Sequence, residues 1–61
     1  MYRTSYVYQL LDDDGSVLDL VQLDEKDGEL ASLAFETNGW ANAKEHRLKV
    51  LEVKEYLGVL L

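Results

Sequence analysis

Three consecutive aspartates followed by glycine, Asp12-Asp13-Asp14-Gly15, are the densest set of oxygen ligands in this 61-residue chain. Carboxylates crowded into a glycine-bearing loop invite a calcium reading. An EF-hand loop needs acids at positions 1, 3 and 5, Gly at 6 and Glu at 12. With Gly15 at position 6, Asp12 and Asp14 fall correctly, but Leu10 takes position 1 and Val21 takes position 12. Both ends of the site fail, so the aspartates read as a solvated hairpin turn. No metal and no cofactor are expected.

Other chemistry finds less support. Paired carboxylates can do acid–base work when burial shifts their affinities apart. Here they sit in turn and cap positions, in contact with water. The single histidine, His46, has no Ser, Cys or second His spaced to make a nucleophile site. Gly15, Gly28, Gly39 and Gly58 stand alone, so there is no phosphate-cradling loop. The chain is not expected to be an enzyme. Lys44, Arg47, Lys49 and Lys54 lie near Trp40 and Tyr56, a pairing that can hold single-stranded nucleic acid. They are interleaved with three acids in a chain of net charge −6, which makes nucleic acid an unfavourable partner.

The charge is unevenly distributed. Residues 1–36 hold nine acids against Arg3 and Lys26, a net of −7, while residues 37–61 carry a net of +1. Asp12, Asp13 and Asp14 form one acidic knot, and Asp24, Glu25, Asp27 and Glu29 form another. Such a field favours a basic-surfaced protein partner.

Size sets further bounds. Residues 1–61 make one small acidic domain, and a chain this short buries only about 60% of its unfolded surface. There is no cysteine to supply a disulfide. Oligomerisation or docking on a partner is the remaining route to more burial. The longest apolar runs are three residues, such as Val59-Leu60-Leu61, against about 20 for a membrane-spanning helix. The N-terminal residues lack a signal-peptide core. The expected location is the cytoplasm, and the initial Met is that expected of a short gene product.

These residues must be positioned by few elements. Residues 2–11 are rich in aromatic and β-branched types, the composition of a strand. Residues 17–23 read as its hairpin partner across a four- or five-residue loop. Asp24 is expected to cap a helix whose inward stripe is Leu30, Leu33 and Ala34. Thr37-Asn38-Gly39 should stop that helix, with Trp40 folding back and buried against its end. Arg47-Leu48-Lys49-Val50 alternates as a strand does, and a bulge at Val50-Leu51 carries the alternation on through Lys54. The fold expected is α+β, in the order β-β-α-β, with a three-stranded, mainly antiparallel sheet of order 2-1-3. One helix covers one face of that sheet.

Tyr2, Tyr6 and Tyr8 share one face of the first strand. They are either core beneath the helix or an exposed aromatic contact patch; Tyr6 and Tyr8 are the candidates for the latter. The opposite row, with Val7 and Leu11, is also apolar, and Val17, Val21 and Leu23 are grouped with it. One face has no cover within the chain.

In size, negative charge and β/α layout the chain resembles phage inhibitors of host RNA polymerase, although no motif carries the likeness. That resemblance implies a phage- or mobile-element-type inhibitor or modulator of a host nucleic-acid enzyme. It would bind the enzyme's basic surface through Asp12, Asp13, Asp14, Asp24, Glu25 and Asp27, with Tyr6 and Tyr8 as the contact core. The alternative is a homodimeric assembly subunit joined through the uncovered sheet face or edge, or an antitoxin-like neutraliser.

Overall fold

The first ten-residue strand, β1 (Tyr2–Leu11), alternates between two faces and pairs on both edges. In the computed structural model, which describes residues 1–58, it is the centre of a three-stranded sheet. Val59, Leu60 and Leu61 lie outside the described residues. Strand β2 (Val17–Leu23) and strand β3 (Arg47–Tyr56) flank β1, both antiparallel to it. Helix α1 (Gly28–Thr37) and a 3₁₀ turn (Ala43–Glu45) connect β2 to β3. The α+β class, the order β-β-α-β and the strand order 2-1-3 are therefore those expected from the sequence.

The five-residue hairpin loop is organised by its aspartates. Asp12 Oδ1 accepts from the Asp13 N–H at 2.8 Å, and Asp14 Oδ1 accepts from the Ser16 N–H at 2.9 Å. Gly15 takes φ 88°, where a side chain would be strained. Asp14 titrates below its usual range, first because the Ser16 amide bonds to its charged form.

Helix α1 begins later than Asp24 would have it. Asp27 is the cap, accepting from the Glu29 and Leu30 N–H groups at 3.1 Å. Asp24 instead accepts from Arg3 Nη2 at 2.8 Å, a bridge between two exposed side chains that keeps the guanidinium more firmly protonated. This later start also sets the phase. The buried helix residues are Ala31, Ser32 and Phe35, while Leu30 and Leu33 are 43% and 53% exposed. The expected Leu30–Leu33 inward stripe is thus replaced. Small Ala31 and Ser32 let the helix lie close to the sheet, and the Phe35 ring fills the space beneath.

The C-terminal end closes as a Schellman motif. Trp40 N–H donates to Phe35 O at 3.0 Å and Gly39 N–H to Glu36 O at 3.1 Å, with Gly39 at φ 103°. Trp40 folds back as expected, yet it ends half-buried rather than fully enclosed. Its indole Nε1–H donates to Asp19 Oδ2 at 3.0 Å, so one edge of the ring must stay beside a charged group.

Registers decide which side chains share a face. The β1–β3 ladder runs unbroken from Tyr2↔Tyr56 to Leu11↔Arg47, so the bulge expected at Val50-Leu51 is absent. The irregularity lies at the other edge of β1: Leu10 faces Asp19 and Leu11 faces Val17, leaving Leu18 extra on β2. This lets neighbouring Leu18 and Asp19 both serve the helix side, one packed against the core and one on Trp40. Alternation then places Tyr6, Tyr8, Leu10, Val21, Leu23, Leu48 and Val50 beneath the helix layer. Val21 and Leu23 accordingly join the tyrosine face and not the Val7 face, the reverse of the sequence grouping. The core proper is Tyr8, Leu10, Ala31, Phe35 and Ala43.

Candidate protein-docking surface

Two surfaces remain once the core is built. One is the outside of α1. At 3.6 residues per turn, Leu30, Leu33 and Thr37 project opposite the buried Ala31–Phe35 side, and all three are exposed. Glu25, Asp27 and Glu29 are exposed about the start of the same helix. The result is two leucines beside an acidic field.

The other surface is the sheet face that none of the described residues covers. It carries Val7, Gln9 and Leu11 from β1, Val17, Leu20 and Gln22 from β2, and Arg47, Lys49, Leu51 and Val53 from β3. Val17, Leu20 and Leu51 are 50%, 53% and 43% exposed. Ser5, on this face, is buried because the Gln22 side chain closes over it and donates to its hydroxyl at 2.7 Å. Despite the overall charge of the chain, the cations Arg47 and Lys49 belong here.

The expected site residues separate between these regions and the core. Asp12, Asp13 and Asp14 lie at the hairpin tip, whereas Asp24, Glu25 and Asp27 lie at the far end of β2, about 24 Å of strand away. The two knots therefore form two acidic zones. Several of these carboxylates also have structural duties: Asp12 and Asp14 in the turn, Asp24 on Arg3, Asp27 on the helix. Tyr8 is 5% exposed within the core, and Tyr6 is half-buried beside it. The exposed pair of tyrosines is Tyr2 and Tyr56, whose rings stack 5.2 Å apart at a 57° tilt, where β1 and β3 run on beyond β2.

Sequence reasoning missed Leu20, Leu51 and Val53 on the open face, and Leu30 and Leu33 as outward residues. The signal for the helix pair was Asp27, which caps as well as Asp24 and leaves Phe35, the largest apolar residue of the segment, facing in.

A groove runs between the helix N-terminus and β3, lined by Lys26, Asp27, Ser32, Lys44, His46 and Leu48. Two of the helix's free N–H groups already bond to Asp27, so the groove offers an anion little beyond its lysines. Among the described residues no three His, Cys, Asp or Glu side chains gather as metal ligands, and no helix is long and apolar enough to cross a membrane. No family model, curated protein or solved structure matches the chain.

Proposed function

We propose that this chain is a non-catalytic protein-binding module that docks on, and inhibits or modulates, a larger protein with a basic surface. The observation that supports this most is the outside of α1, where exposed Leu30 and Leu33 adjoin Glu25, Asp27 and Glu29. An interface gains affinity from buried apolar anchors and gains association rate and partner choice from complementary charge. The helix offers both within a few turns. The contact core moves accordingly from Tyr6 and Tyr8, which the sheet turns inward, to the two leucines.

A basic groove that ordinarily holds nucleic-acid phosphate is the surface such a module would fit. That keeps the reading of an inhibitor of a host nucleic-acid enzyme, of phage or mobile-element type. An antitoxin-like neutraliser would use the same surface on a basic toxin.

The test is affinity capture with three immobilised baits: the native chain, Glu25→Lys with Glu29→Lys, and Leu33→Asp. The native chain should retain a basic protein that both variants lose, and added salt should slow association far more than it speeds release. Retention of nucleic acid alone, or capture indifferent to both variants, would sink the proposal.

A further inference from the structure

The open sheet face has a different character from the acidic helix, and it asks for a different occupant. We infer that this face is a self-association surface, closed by a second copy of the chain about a two-fold axis parallel to β1.

The chain has more surface than its mass accounts for. It exposes 4606 Å², whereas a compact 7.0 kDa chain exposes about 4,000 Å². Its radius of gyration is 13.5 Å, against about 10.5 Å for a compact domain of this length. Strands about 4.8 Å apart and about 3.4 Å per residue, over the lengths of β1, β2 and β3, give the open face roughly 440 Å², or roughly 880 Å² for two copies, the size of a weak contact.

Charge and register then choose the axis. Across the sheet, the open-face rows are Leu51–Val7–Gln22, Lys49–Gln9–Leu20 and Arg47–Leu11–Val17. A two-fold along β1 lays β1 on β1 and β3 on the second copy's β2. Val7 and Leu11 then meet their own counterparts as apolar pairs. Gln9 meets Gln9, and a primary amide is both donor and acceptor, so it can bond to its own kind. Lys49 crosses Leu20 of the second copy, covering it with its methylene stem. Arg47, whose guanidinium donates to the Asp13 carbonyl of its own turn at 3.4 Å, arrives over Val17 of the second copy. A two-fold across the strands at the Gln9 row would instead stack β3 on β3 antiparallel and set Lys49 directly on Lys49. The dimer leaves both acidic helices outward, so it is independent of the docking proposal above.

Sedimentation equilibrium or light scattering of the native chain at roughly 100 μM, where even a micromolar dimer is formed, should give twice 7.0 kDa. Leu20→Lys sets a lysine against Lys49 and should weaken the dimer more than about tenfold. Adding Lys49→Glu to Leu20→Lys should restore it. Leu33→Lys, on the outer helix, should leave the mass unchanged. A monomeric native chain, an unaffected Leu20→Lys, or no recovery in the double variant would overturn the inference. If Leu20→Lys does not fold, Gln9→Cys decides. The chain has no other cysteine, and a bismaleimide of about 10 Å, the spacing of stacked sheets, must join two copies. Failure of that cross-link overturns the inference equally.

Discussion

The two faces of this small sheet are built from similar residues yet behave differently. Beneath α1, Tyr8 and Leu10 are lost from solvent, and Phe35 seals them. On the other face, Val17, Leu20 and Leu51 stay about half in water. Hydrophobicity does not separate them, since both rows of β1 carry apolar side chains. What separates them is where one ten-residue helix can land. Its Ala31 and Ser32 permit close approach, its Asp27 cap sets the rotation, and its Schellman end returns the chain to begin β3. The described residues hold one α-helix, and it lies on one face of the sheet, so the other face is left without it.

The largest test of this contrast is truncation on each face. Phe35→Ala should cost about 3–5 kcal/mol, close to the whole stability of so small a domain, and leave the chain largely unfolded. Leu51→Ala should change the stability of dilute protein by no more than about 0.5 kcal/mol. Chemical denaturation followed by circular dichroism measures both. Equal costs would mean that the two faces are not distinct.

A smaller effect concerns what holds the helix on its face. Asp27→Ala removes the side-chain acceptor for two helix N–H groups and should cost about 1 kcal/mol. Asp24→Ala removes only an exposed bridge to Arg3 and should lower the melting temperature much less. The reverse ranking would restore Asp24 as the cap and overturn the helix phase described above.

The smallest effect lies in the hairpin tip, which belongs to neither face. The Asp14 carboxylate is depressed below its ordinary 3.8 because the Ser16 amide bonds to it. A depressed carboxylate contributes stability above its unfolded value, and that contribution disappears as the pH falls through the folded value. The native chain should therefore lose this increment as the pH drops below about 4, and Asp14→Asn should lose less over the same range. Melting curves at several pH values would show it. Identical acid profiles would remove Asp14 from the turn's bonding. Above pH 5, Asp12→Asn with Asp13→Asn should leave the melting temperature equal or higher, because like charges are relieved.

Much of the architecture was legible because it follows from local physics. Alternating and β-branched residues specify strands at 2–11 and 17–23, the Asp-Gly turn closes them, and Asn38-Gly39 ends the helix. The order 2-1-3 follows from a central strand apolar on both sides. The facing of side chains was not legible. Whether Leu30 or Phe35 points inward depends on helix phase, and the cap expected at Asp24 falls instead on Asp27. Whether Val21 sits with Tyr8 or with Val7 depends on strand register, and a one-residue shift reverses every side chain. That register was decided by the ladder pairings and by the bulge at Leu10/Leu11, contacts between residues distant in the chain. The sequence thus determined the strands at 2–11 and 17–23, the turn between them and the helix, while Arg47–Tyr56, legible as strand or helix, became a strand by pairing along β1. Only packing decided which face of each is core and which stays in contact with water, because periodicity specifies a face but not what lies against it.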